Sequence, residues 1–294
     1  MKNQTFGIEI ETSGKTREEV IKKIAEYFGT DHTVYHKGGQ YDTWTCKDNK
    51  GRTWKCVYDS SIIAATHSKQ CEVVSPILTY DDMNDLQEVV RVIRKNGSVS
   101  NAEKDCGIHV HIGLGNHNIK TLKNLVNYFS AYQDVIYKAL EINDFRASRW
   151  CKKLEPALID KFNERGLDSM EKGESAWYGK GHEDGKYTHY HSSRYHGLNL
   201  HSVFQKGTIE FRLFNGTLHA GEIRSYIVFC LAMSNFALNA RSIKRNRKNQ
   251  FNDKYTMYEM LCRIGIKGEE FKVVRDHLTK HLTGSLTHEG RYIA

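Results

Sequence analysis

Cys106-Gly107-Ile108-His109-Val110-His111-Ile112-Gly113 alternates two side-chain chemistries along one short run. Ile108, Val110 and Ile112 alternate with two histidines, and glycines bound the run. Alternation at period two is the pattern of a half-buried β-strand. Side chains at i and i+2 leave the same face, so His109 and His111 point together, roughly 7 Å apart along the strand. The three aliphatic residues point the other way, into a core.

Two further stretches share this design. Gly7-Ile8-Glu9-Ile10-Glu11-Thr12 puts two carboxylates on one face, and Thr208-Ile209-Glu210-Phe211-Arg212-Leu213-Phe214 puts a carboxylate and a guanidinium on one face. A one-residue slip would bury the charges, so register is strongly specified. An amphipathic strand with a solvated polar face is common in antiparallel sheets, but such faces usually mix Thr, Lys, Ser and Gln. Three strands that each select carboxylate, imidazole or guanidinium point instead to a metal and phosphate site.

The order Glu9-x-Glu11, then Glu72 in Glu72-Val73-Val74-Ser75-Pro76, then His109-x-His111, then Glu210-x-Arg212 resembles the amidoligase family. These are carboxylate–amine ligases related to glutamine synthetase and glutamate–cysteine ligase. Trp54 through Asp59-Ser60-Ser61-Ile62 is similar to a Trp…Asp-Gly-Ser-Leu segment of that family, with Ser60 where glycine is usual. Arg194-Tyr195 ahead of Leu198-Asn199 resembles its Arg-Tyr…Leu-Asn element. The resemblance implies an α+β fold, with a curved, mostly antiparallel sheet of the glutamine-synthetase-like catalytic type and helices on one face. It implies ATP and Mg²⁺ (or Mn²⁺) as cofactors. Glu9, His109 and Glu210 would hold one metal, Glu11 and Glu72 another. His111, Arg212 and Arg194 would face the phosphates as catalytic and nucleotide-binding groups.

The implied reaction joins a carboxylate to an amine after ATP has phosphorylated the carboxylate. The carboxylate and amine partners would be small molecules, peptides or protein side chains. Three rival readings of the same residues are a phosphotransferase of the guanidino-kinase type, a metal-dependent hydrolase, and a non-enzymatic polyanion-binding protein.

Elsewhere the chain is punctuated regularly. Thr16-Arg17-Glu18-Glu19 is a capping box opening a helix that ends at Gly29. Residues 33–63 are β-rich, with Asp48-Asn49-Lys50-Gly51 as a hairpin turn that makes Cys46 and Cys56 cross-strand neighbours. Asp59 is expected to line the site or to cap a turn. Helices are expected from Thr79 to near Gly97, from Ile119 to Glu141 and from Ala220 to Arg241, each with an apolar stripe. Residues 145–196 read as irregular, a substrate loop or lid; His182, His189, His191 and His196 there lack zinc-site spacing. His201 is expected to continue the strand of Leu198, with Gln205-Lys206-Gly207 turning it into the Glu210 strand. Residues 1–245 are expected to form the catalytic domain and 246–294 a helical extension, with helices at 253–263 and 267–283.

The 294 residues are enough for one large domain or two small ones. No run reaches membrane-span length, and Met1-Lys2-Asn3-Gln4 leads straight into the first strand, so no signal peptide is expected. Seven cysteines without Cys-x-x-Cys spacing are expected to be reduced thiols of a cytoplasmic protein. Lys and Arg exceed Asp and Glu by 43 to 35, a net charge of +8 that favours anionic partners. Arg241, Lys244, Arg245, Arg247 and Lys248 concentrate that charge in 241–248, which reads either as a polyanion contact or as a solvated helix end.

Overall fold

The computed structural model describes residues 1–245 and 252–286. The elements run β1 (Phe6–Thr12), α1 (Arg17–Phe28), β2 (Tyr35–Gly38), β3 (Thr43–Lys47), β4 (Thr53–Val57), β5 (Cys71–Val74), α2 (Met83–Lys95), β6 (Gly107–Gly113) and α3 (Ile119–Ala139). They continue with α4 (Asp144–Arg149), α5 (Pro156–Asn163), α6 (Met170–Tyr178), β7 (Leu198–Asn199), α7 (His201–Lys206), β8 (Thr208–Asn215), α8 (Ala220–Asn239), α9 (Asp253–Arg263) and α10 (Lys272–Thr279). The fold is α+β, and the strand pairings with a defined register are antiparallel.

The chain divides into two compact units. One comprises Lys2–His111 and Phe214–Ile227. Its strands follow the order β2-β3-β4-β5-β1-β6. Period-two alternation decides their faces: Phe6, Ile8 and Ile10 of β1 and Ile108 and Val110 of β6 are buried. α1 forms because Thr16 and Glu19 cap it reciprocally and Gly29 ends it in the left-handed conformation. Its Val20, Ile21, Ile24 and Ala25 are buried, and Phe28 meets Trp54 of β4 at 6.0 Å between ring centroids. Arg17 is buried too, donating to the carbonyls of His67 (2.8 Å) and Gln70 (2.6 Å) and thereby holding the approach to β5.

The β3–β4 hairpin turns at Asp48–Gly51 as expected, with Gly51 N–H donating to the Asp48 carbonyl at 3.0 Å. Cys46 opposes Trp54, however, and Cys56 opposes Trp44, so the two cysteines are diagonal rather than facing. No disulfide joins the seven cysteines.

The other unit comprises Met1, Ile112–Leu213 and Val228 onward. β7 pairs with β8, and Ile209, Phe211 and Leu213 of β8 are buried, Phe211 lying 6.4 Å from Phe129 of α3. Two expectations fail here. His201 does not continue a strand: His201–Lys206 is a short helix closed by Gly207 at φ 70°. Leu198 and Leu200 alternate as in a strand, but the alternation stops at Ser202, and the left-handed cap at Gly207 closes a helical turn. Residues 145–196 are also more regular than expected, carrying α4, α5 and α6, each only about two turns long, too few for the apolar spacing to stand out. No described helix is long and apolar enough to cross a membrane.

Candidate active site

Glu9, Glu11, Glu72, His109, His111 and Asp59 all belong to the first unit. Period two sends Glu9 and Glu11 out of the β1 face opposite Ile8 and Ile10, and His109 and His111 out of β6 opposite Ile108 and Val110. The β1–β5 register sets Glu11 directly across from Glu72. Like charges opposite one another on a sheet repel, and Glu11 is only 3 % exposed.

The imidazoles are threaded through these carboxylates. His109 is buried; its Nδ1 lies 3.0 Å from Glu9 Oε2 and its Nε2 3.5 Å from Glu11 Oε1. His111 Nε2 lies 3.2 Å from Glu9 Oε1. Gly107 N–H donates to Glu11 Oε2 at 2.5 Å. Burial pushes the Glu9 carboxyl up, but the charge of His111 and the hydrogen bonds from His109 and His111 outweigh it, holding it well below the usual carboxylate range.

Two groups of side chains here offer ligand atoms within 4.8 Å of one another: Glu9, Glu72 and His109, and Glu11, Asp59 and Glu72. Glu72 is common to both. Carboxylate oxygens with one imidazole suit Mg²⁺ or Mn²⁺, the imidazole favouring Mn²⁺. The donor set therefore fits a hard divalent cation, and a cation would relieve the opposition of Glu11 and Glu72.

Asp59 caps a turn, the second of the two alternatives, and also lies close to two other carboxylates. Its Oδ1 accepts from the backbone N–H and hydroxyl of Ser61, each at 2.7 Å, which caps the turn. Its carboxylate also joins Glu11 and Glu72. Ser60 makes that turn without a left-handed backbone, so the glycine usual there is not required.

In the second unit, Glu210 and Arg212 project from the polar face of β8 and both are buried. Arg212 Nη1 donates to Glu210 Oε1 at 2.6 Å. Asn199, opposite Glu210 in the β7–β8 register, donates from Nδ2 to Glu210 Oε2 at 2.7 Å. Asn199 Oδ1 in turn accepts from His201 N–H at 2.8 Å. Each Glu210 oxygen thus has a donor, which fixes the carboxylate in one orientation. Asn199 carries no expected role in the sequence; its signal is an amide two residues before a helix start, where it caps the backbone while reaching across the pair.

Arg194 is half-buried on the short turn before β7. Nη1 donates to the His189 carbonyl at 3.2 Å, and the guanidinium lies over Tyr190 (5.3 Å) and Tyr195 (5.8 Å). Of the basic cluster, Arg241, Lys244 and Arg245 are described, and Arg245 pairs with Asp160. Arg247 and Lys248 lie outside the described residues.

A search of curated proteins found no match. The family model described as "Putative amidoligase enzyme" matches residues 2–234, which carry Glu9, Glu11, Asp59, Glu72, His109, His111, Arg194, Asn199, Glu210 and Arg212 but not the basic cluster. The chain belongs to that amidoligase family.

Proposed function

We propose that this protein is an ATP- and divalent-metal-dependent ligase that forms an amide between a carboxylate and an amine through an acyl phosphate. The observation that carries the reading is the buried Glu11 set directly against Glu72, with His109 beside Glu9 and Glu11. A cation held between these carboxylates would offset their repulsion and the cost of burying Glu11. Family membership supplies the ligase class.

Glu9, Glu72 and His109, with Glu11 and Asp59, would hold Mg²⁺ or Mn²⁺. Bound there, the cation would supply positive charge between an anionic triphosphate and an anionic carboxylate. The resemblance adds Glu210 to the ligands and assigns His111, Arg212 and Arg194 to the phosphates. His109, with a carboxylate oxygen near each ring nitrogen, is fixed in orientation. Arg212, fixed by Glu210, would present its remaining N–H donors to phosphoryl oxygens, a stabilisation that needs no rearrangement during the reaction. The glutamine-synthetase-like type of sheet belongs to this same reading.

In the first half-reaction a substrate carboxylate oxygen attacks the γ-phosphorus and ADP leaves. In the second, the amine attacks the acyl carbon, phosphate leaves with the original carboxylate oxygen, and the amine loses a proton. The test is ATP with Mg²⁺ or Mn²⁺ and ¹⁸O-labelled amino acids against a panel of amines. The expected products are ADP and ¹⁸O-labelled phosphate, formed when carboxylate and amine are both present. Phosphate without label would turn the reading to a hydrolase, a stable phosphorylated product to a kinase. AMP with pyrophosphate would exclude phosphoryl transfer.

A further inference from the structure

On the sheet of the first unit, charge is segregated by strand along one face. β1 and β5 carry Glu9, Glu11 and Glu72 there, whereas β2, β3 and β4 contain no aspartate or glutamate. Direct pairing sets Glu9, Val74, Lys55, Thr45 and Tyr35 in one row across that face. Glu11, Glu72 and Val57 form the neighbouring row. α1 packs on the opposite face, where its Phe28 meets Trp54, the residue before Lys55. Lys55 is exposed, and Val57 and Val74 are half-buried. Among the described residues Lys55 is in no ion pair. Its direct partners across the strands, Val74 and Thr45, are neutral.

This placement favours the substrate over the nucleotide as the partner of Lys55. In the strand order β4-β5-β1-β6, the carboxylates of β5 and β1 lie between Lys55 and His111, which the resemblance gives to the phosphates. A carboxylate bound at a cation between β1 and β5 is one and a half strand spacings, roughly 7 Å, from β4. The surface between them is Val57 and Val74, which suits methylene groups and offers a charge no partner. Beyond it stands one ammonium, within reach of a second anion on the same molecule. Lys55 is also diagonal to Glu72, a separation that a long side chain can close. A cation held by Glu72 satisfies that carboxylate and leaves the ammonium to the substrate.

We propose that Lys55 binds a second anionic group of the carboxylate substrate, whose stem lies across Val57 and Val74, and so selects dianionic substrates over monocarboxylates. The second group is a carboxylate or a phosphoryl group. The inference rests on the ligase reading, which puts the reacting carboxylate at the cation.

The experiment is calorimetry on the full chain with Mn²⁺ and β,γ-methylene-ATP, titrating glutarate, phosphonobutyrate and butyrate. A dianion is expected to bind about tenfold more tightly than butyrate, and the tighter of the two identifies the second group. Lys55→Gln is expected to bring both dianions to the butyrate value while leaving butyrate binding and the Mn²⁺ thermal shift unchanged. Lys22→Gln, on the exposed side of α1, is expected to leave the preference intact. Equal affinity of dianions and butyrate for the wild-type chain, or equal weakening of all three by Lys55→Gln, would overturn the proposal. So would loss of the preference in Lys22→Gln, which would mean diffuse charge attraction. A changed Mn²⁺ shift in Lys55→Gln would mean that the ammonium serves Glu72, and would overturn it too. Turnover separates the two readings. A Lys55-dependent preference without amide formation would defeat the ligase reading and leave the subsite. Amide formation from butyrate and glutarate at equal kcat/KM would defeat the Lys55 assignment and leave the ligase.

Discussion

Glu11 and Glu72 illustrate what a single residue can and cannot announce. Alternation with Ile8 and Ile10 shows which face Glu11 occupies, but its opposition to Glu72 depends on a pairing between strands about sixty residues apart. Nothing local encodes that register. The same limit hid Asn199, whose partner Glu210 becomes a neighbour only when β7 meets β8. The opposition has a measurable consequence if the cluster holds a cation. A ligand that binds only the folded state stabilises it by about 2.7 kcal/mol at a hundredfold excess over Kd. Mn²⁺ is therefore expected to raise the thermal midpoint of the wild-type chain over an EDTA control. Glu11→Gln keeps an oxygen for Gly107 N–H but loses the charge, and most of the Mn²⁺ shift should vanish. An undiminished shift in that variant would remove Glu11 from the metal site.

At the scale of elements, the sequence was most legible where start and stop signals agreed with periodicity. α1 has both a capping box and a left-handed glycine end, and α3 is long enough to show its stripe. α8 shows no single stripe: residues 225–234 are buried on all sides, and Phe236, expected in the stripe with Ile223, Ile227 and Leu231, is only half-buried. Legibility failed for α7, which follows the strand-like Leu198 and Leu200, and for α4 to α6, where six to nine residues give about two turns. It failed also for the joint between α3 and α8. There His117, just ahead of α3, sits with Nδ1 3.0 Å from Thr121 Oγ1 and Nε2 2.9 Å from Ser234 Oγ of α8. Burial pushes this imidazole down to about 4, from an ordinary value of 6.5. The folded state therefore holds the neutral form while the unfolded chain takes up a proton. Stability from His117 is complete above about pH 6.5 and is lost as pH falls toward 4, about 1.4 kcal/mol per pH unit at most. His201, also lowered to about 4 chiefly by burial, adds to the same slope. Urea unfolding between pH 7 and 4.5 should show this loss, and His117→Gln should flatten the slope by up to about 1.4 kcal/mol per pH unit. An unchanged slope in the variant would mean that the protonation driving the loss lies elsewhere.

For the whole molecule, the family match over residues 2–234 stops before α9 and α10, so relatedness alone does not say how far the folded unit extends. Packing within the second unit answers that differently from sequence position. Met257, Met260 and Leu261 of α9, Ile266 after it and Leu278 of α10 are all fully buried. Tyr128 of α3 donates its hydroxyl to the Met260 carbonyl at 3.4 Å, and Lys138 at the end of α3 pairs with Asp253. The apolar stripe of α3 thus serves two neighbours, β8 through Phe129 and α9 through Tyr128. Ending the chain at Arg245 would leave the α9 side of that stripe in water. A buried aliphatic side chain contributes roughly 1.5–3 kcal/mol, so losing several exceeds much of a domain's net 5–15 kcal/mol. A chain of residues 1–245 is expected to unfold at a markedly lower urea concentration than the full chain, with a smaller m-value because less surface is buried. Full-length stability in the shortened chain would make the last helices an appendage independent of the α3 core.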